Sequence, residues 1–221
     1  MSEEVLIPKM KRLDRKQRKI KIPVNNFMLV ILCVLLIVGA TFVDLDIKHY
    51  VLPQNFSFDK IYEQKDFIYN FSIIPQIPAL MFICSLLGKR LALTCTCLYI
   101  ILGLFIIPVF ALGGGLAYAG EYGFGYILAY IFGVGICGSF LSKKYSLLNM
   151  FLGAVLGVLA IHVFGIIYMT MLALIKQEGT MFIKTWIAAQ SGLKIVYDIV
   201  LSFVGVLVGK YMHSFLKFIS D

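Results

Sequence analysis

The chain has 221 residues, of which 60% are hydrophobic and only 14% charged, with a mean hydropathy of +0.90. Soluble domains sit near half apolar and a quarter charged, so this composition excludes an ordinary water-soluble globule. The net charge of +8 admits nucleic acid or an anionic membrane surface as partner. The basic residues gather at the ends of apolar runs, and no nucleic-acid motif accompanies them, which favours the membrane.

Residues 1–25 form a basic tail with Lys9, Lys11, Arg12, Arg15, Lys16, Arg18, Lys19 and Lys21, a cluster of the kind that fixes membrane topology. The first apolar run, Phe27 to Val43, is long and follows a polar stretch, so it reads as a retained anchor and not a cleaved signal peptide. The loop 44–71, on the extracytoplasmic side, is long enough to act as a gate. Its aromatics, Tyr50, Phe56, Phe58, Tyr62, Phe67 and Tyr69, argue for an ordered segment. A second run spans Ile73 to Gly88, with its helix expected to begin after Pro75 and Pro78. Leu91 to Phe110, Phe124 to Leu141, Leu147 to Ile175 and Leu193 to Phe215 complete the set. At about 20 apolar residues per crossing, residues 26–217 predict one all-α domain, a polytopic membrane bundle of six transmembrane helices.

The positive-inside bias orients it. The tail, Lys89 and Arg90, Lys143 and Lys144, and Lys210 and Lys217 share one side. The opposite loops hold only Lys48, Lys60, Lys65, Lys176 and Lys184. Both termini are therefore expected in the cytoplasm, and the even span count agrees.

Three outward features suggest a binding site. The loop Phe110 to Gly125 carries Gly113, Gly114, Gly115, Gly120, Gly123 and Gly125 among the aromatics Tyr118, Tyr122, Phe124 and Tyr126. Glycines admit close backbone approach and free N–H donors, and aromatics supply flat apolar walls; a plain linker between helices is the alternative. In the sixth run, Ser191, Lys194, Asp198, Ser202, Gly205 and Gly209 recur at helical spacing on one face. Ionisable groups are costly in hydrocarbon, so this stripe is expected to face the bundle, with Lys194 and Asp198 able to pair at i,i+4. The gate-like first loop is the third feature.

His162 lies mid-span, either as a core histidine or as a ligand or relay group. Gly153-x-x-x-Gly157, Gly205-x-x-x-Gly209 and Gly135-x-x-x-Ser139 read as helix-packing seams. Cys33, Cys84, Cys95, Cys97 and Cys137 all lie in apolar runs without metal or redox spacing, and read as packing residues. No hydrolase, zinc-protease or phosphate-loop motif occurs. The sequence therefore predicts no enzyme and no cofactor in this chain, and any ATP-driven step would need another chain.

Specific residues resemble a known family. Tyr99-x-x-x-Gly103-x-x-x-x-Pro108-Val109-Phe110, Gly113-Gly114-Gly115 and Gly125-Tyr126 look like the signature of the BioY family. That family comprises the biotin-binding S components of energy-coupling factor (ECF) transporters. Pro75-Gln76-Ile77-Pro78, Leu86-Leu87-Gly88, Gly157, Gly165 and Tyr168 agree with it. Lys194 stands at the lysine of a Gly-Asp-x-x-Lys motif. The resemblance covers about residues 73 to 212. Departures fall at Glu121 to Tyr126, where the family has Gly-Pro-Thr-Gly-Gly-Tyr, and at Ser191, where it has an acid. Asp198 can replace that charge one turn later.

The resemblance implies a multi-pass cell-membrane protein that captures biotin from outside and couples to a membrane subunit and separate ATPases. Lys194 would meet the ligand carboxylate, with Asp198 or Ser191 accepting a hydrogen bond from ligand or lysine. Gln76 and the Gly113, Gly114 and Gly115 backbone would meet the ureido edge. Tyr118, Tyr122, Phe124 and Tyr126 would cover the rings, beside His162. An S component for a different small molecule, or a membrane scaffold without transport, are the competing expectations.

Overall fold

The computed structural model describes residues 24–50, 61, 63–143 and 146–220. The basic tail up to residue 23 and residues 51–60 and 62 of the expected gate loop lie outside the described residues.

Six α-helices correspond to the six expected spans: α1 (Val24–Thr41), α2 (Gln76–Leu87), α3 (Lys89–Phe105), α4 (Phe124–Leu141), α5 (Leu147–Ile175) and α7 (Lys194–Ser220). Between α5 and α7 lies α6 (Thr180–Ser191), where the sequence predicted only a loop. Helices α4, α5 and the α6–α7 stretch are long and apolar enough to cross a bilayer, and α1 and α2 contribute shorter apolar helices. The protein is a multi-pass membrane helix bundle.

Outward faces are apolar, as lipid demands. On α7, Val196, Val200, Val204 and Val208 are exposed at a spacing of four, while Asp198, Ser202 and Val206 on the opposite face are fully buried. The polar stripe thus faces inward. Ser191 does not continue it, because it ends α6 and a turn at Gly192 precedes α7.

Small residues decide which helices touch. Along α7, a Cβ on Gly205 would meet the Pro78 carbonyl at 2.9 Å, and one on Gly209 would meet the Phe82 carbonyl at 2.6 Å, so α7 lies against α2 backbone to backbone. Helices α4 and α5 close over Gly133, Gly153 and Gly157 in the same way. The expected Gly135–Ser139 seam is not used for close packing: Gly135 faces open space, and both residues line a shallow groove with Lys89. The cysteines pack as expected. Cys33 lies beside Cys95, Cys84 lies beside Cys137, and all five are free thiols.

Two span boundaries differ from expectation. Helix α2 begins at Gln76, before Pro78; proline is tolerated in a first turn because no intrahelical donor is lost there. It has 12 residues and is only about 18 Å long at 1.5 Å per residue. Helix α3 stops at Phe105, not Phe110, because Pro108 has no N–H to continue the ladder. A single residue, Gly88, joins α2 to α3 at φ +78°, a left-handed conformation that favours glycine. Helix α5 is capped by Ser146, whose side chain accepts from the Asn149 N–H. Its 29 residues extend about 44 Å, beyond the hydrocarbon thickness.

The first loop includes a two-stranded antiparallel hairpin, β1 (Leu45–Tyr50) with β2 (Ile68–Ile73), in which Leu45 pairs with Ile73. It leans on α7 through Tyr197, which contacts the Phe71 ring and hydrogen-bonds His49 at 3.2 Å.

Candidate functional site

At the end of the bundle bearing the starts of α2, α4 and α7, a cavity of about 330 Å³ opens. That volume is at the lower end of the roughly 300–1,000 Å³ range of small-molecule sites. Its lining joins six parts of the chain: Gln76 from α2, Tyr118 and Tyr122 from the glycine-rich loop, Tyr126 and Tyr130 from α4, His162 from α5, Trp186 and Gln190 from α6, and Lys194 and Asp198 from α7.

Seven of the twelve residues expected at the site therefore meet at one cavity. Ser191 stands just behind it, bonded to Tyr126 and His162. Gly113, Gly114 and Gly115 do not line it. They build the turn instead: Gly113 and Phe110 exchange backbone hydrogen bonds, the Gly115 N–H donates to the Gly103 carbonyl, and a Cβ on Gly114 would meet Pro108 Cα at 2.6 Å. Backbone contact to a ligand would come from Ala111, Leu112 and Gly123, which do line it. Phe124 packs in the core against Phe110, Tyr118 and Tyr168 and is not among the lining residues.

Two hydrogen-bond networks hold the polar lining. In the first, Gln76 Nε2 donates to Thr41 Oγ1 at 2.5 Å and to the Tyr99 hydroxyl at 2.8 Å, while Tyr130 donates to Gln76 Oε1 at 2.6 Å. Both amide hydrogens are used up, so the expected ureido contact of Gln76 is limited to the second lone pair of Oε1. One glutamine thereby ties α1, α2, α3 and α4 together at the cavity floor.

In the second network, the Tyr126 hydroxyl lies 2.6 Å from Ser191 Oγ, Ser191 Oγ lies 2.9 Å from His162 Nδ1, and His162 Nε2 lies 3.1 Å from Asp198 Oδ2. His162 is 2% exposed, and Asp198 is fully buried with Oδ1 lacking a partner. The expected i,i+4 ion pair of Lys194 and Asp198 does not form; the Asp198 carboxylate is hydrogen-bonded by His162 instead. Lys194 is half-buried and borders the cavity. It has no hydrogen bond or ion pair among the described residues, although Asp198 and Asp44 act on it electrostatically.

Glycines seat the aromatic wall. A Cβ on Gly165 would overlap the Tyr126 ring at 2.6 Å, and one on Gly125 would overlap Tyr168 at 2.3 Å, so each helix recesses where the other projects a ring. Tyr126 reaches Trp186, with ring centroids 5.9 Å apart, and stands edge-on to His162. The Tyr122 hydroxyl donates to Glu178 at 2.9 Å, and its ring contacts Phe182 and Trp186. Burial pushes the Tyr118 phenol up, and burial with the Glu178 carboxylate does the same at Tyr122, so both remain neutral donors.

Sequence reasoning missed Tyr130, Trp186 and Gln190. Tyr130 follows Tyr126 by one helical turn, a spacing that could have flagged it. Trp186 and Gln190 share a face of α6 by the same rule, which required recognising that segment as a helix.

A crystal structure at 2.1 Å of the S-component for biotin from an ECF-type ABC transporter is similar, with a TM-score of 0.53 at 19% identity. The match covers 86% of this chain and 92% of that one; at this identity the likeness concerns the fold. A search of curated proteins finds no match. The model of the BioY family matches residues 14–218, nearly the whole chain, and the protein belongs to the BioY family.

Proposed function

We propose that the protein is the ligand-capturing membrane component of a vitamin uptake system, that biotin is its ligand, and that it is not an enzyme. The observation that carries this reading is the pairing of two unpartnered groups among the residues that line one mainly apolar cavity. Lys194 supplies a cation without an ion-pair partner among the described residues, and one turn deeper Asp198 Oδ1 supplies an unsatisfied acceptor. Biotin carries the complementary groups, a carboxylate at the end of a valerate chain and two ureido N–H donors. Between them its fused rings are apolar and would lie against Tyr118, Tyr126 and Trp186.

The cavity lies at the end of the bundle away from Lys89, Arg90, Lys143 and Lys210, which the helix order places at the opposite end. The positive-inside bias assigns that basic end, with both termini, to the cytoplasm, so the cavity opens outward. Membership of the BioY family supports a coupling membrane subunit and ATPase subunits as partners, with ATP hydrolysed there and not in this chain.

The test is a biotin titration of the purified protein in detergent. Trp186 is the only tryptophan and lines the cavity, so saturable binding should change its fluorescence and raise the thermal midpoint. Neither change at saturating biotin, or a change produced by an unrelated solute instead, would overturn the assignment.

A further inference from the structure

The order Ser191, His162, Asp198 has the residue types of a hydrolytic triad but the opposite wiring. In a triad, serine sits at Nε2 facing substrate and the carboxylate sits behind at Nδ1. Here serine is at Nδ1, 5% exposed and outside the cavity lining, while Asp198 is at Nε2 and borders the cavity. The array is arranged to present a carboxylate.

With Asp198 a carboxylate and His162 neutral, one direction of donation satisfies the array: Tyr126 O–H to Ser191 Oγ, Ser191 O–H to His162 Nδ1, and His162 Nε2–H to Asp198 Oδ2, along the contacts at 2.6, 2.9 and 3.1 Å. Neutral histidine has one donor and one acceptor nitrogen, which this direction satisfies. The terminal oxygen, Oδ1, is then acceptor-only, fully buried and unpartnered. Leaving such a group unmet is costly, so the cavity favours a guest that brings a donor to it. His162 fixes the rotation of the carboxyl group and thus which oxygen remains.

We infer that His162, held by Ser191 and Tyr126, is a positioning residue that makes Asp198 the specificity determinant for a ligand N–H donor. This rests on the biotin reading above. It moves the expected acidic ligand contact from the position held by Ser191 to α7, with α5 supplying its orientation.

The experiment compares biotin with biotin methylated on both ureido nitrogens, titrated against the detergent-purified wild type, His162→Leu and His162→Gln. The wild type should bind the methylated compound at least about 10-fold more weakly, as expected for a lost hydrogen bond to a charged group. In His162→Leu the biotin affinity should fall while that of the methylated compound changes little, so that the preference largely disappears. His162→Gln restores a donor and should recover the preference. A general packing defect would weaken both compounds alike. A wild-type preference retained in His162→Leu would overturn the inference, as would equal wild-type affinity for both compounds, the result expected if water joins Asp198 to the unpartnered Ser202 hydroxyl.

If the wild type binds neither compound, the biotin reading fails separately. The array is then judged by a double-mutant cycle of His162→Leu and Asp198→Asn on the thermal midpoint of the ligand-free protein. Additive shifts would overturn it, and strong coupling would sustain it for another N–H-bearing ligand.

Discussion

Lys194→Ala should weaken biotin binding about 10- to 150-fold, the equivalent of losing a charge-assisted hydrogen bond worth about 1.5–3 kcal/mol. The effect is large because Lys194 has no ion pair among the described residues that would compete for it, and it is the one basic residue apart from His162 in the cavity lining. A control isolates the cause. Biotin amide lacks the carboxylate, so it should bind the wild type more weakly and lose little further in the alanine variant. Equal losses for acid and amide would show that Lys194 shapes the cavity without meeting the charge; unchanged affinity for biotin would remove it from the site.

Gln76→Leu should produce the largest loss of stability among substitutions at the cavity. Three hydrogen bonds to three other helices disappear together, and the buried Tyr130 hydroxyl loses its acceptor. Interhelical hydrogen bonds in membranes average about 0.6 kcal/mol each, with a maximum near 1.7, so the three total on the order of 2 kcal/mol. The readout is the thermal midpoint in detergent without ligand. The double variant Gln76→Leu, Tyr130→Phe should be less destabilised than the two single effects combined, because the orphaned hydroxyl is gone. An unaltered midpoint in Gln76→Leu would mean that the four helices do not depend on this glutamine.

Much of the fold was legible because lipid imposes a simple local rule. The runs Phe124 to Leu141 and Leu147 to Ile175 match α4 and α5 at both ends, since each is a continuous apolar stretch bounded by turn residues. The inward face of α7 was legible for the same reason, as Asp198 and Ser202 could not face acyl chains. Helix α6 escaped because Thr180–Ser191 is short and mixes Lys184 and Gln190 with apolar residues, so hydropathy alone gives it no mark.

The site was legible as a list but not as a wiring diagram. His162 and Asp198 are 36 residues apart, and nothing local says that α5 brings histidine to the carboxylate before Lys194 can claim it. The same applies to Gln76, whose partners Thr41, Tyr99 and Tyr130 lie on three other helices. Gly113, Gly114 and Gly115 misled for a different reason: glycine marks any close backbone approach, and here the approach is to Gly103 and Pro108 instead of a guest.

The shortness of α2 has a consequence for how the protein meets a charged solute. A rod of about 18 Å cannot by itself bridge a hydrocarbon layer of about 30 Å, so with its Lys89 end at one headgroup layer, its start at Gln76 would be sunk beneath the other. Charges at that depth would be screened far less than at a surface. Raising sodium chloride from about 10 mM to 1 M shortens the Debye length from about 30 to 3 Å, yet the dissociation constant for biotin should hardly move. A steep decline with salt would mean that the guest is held at the rim.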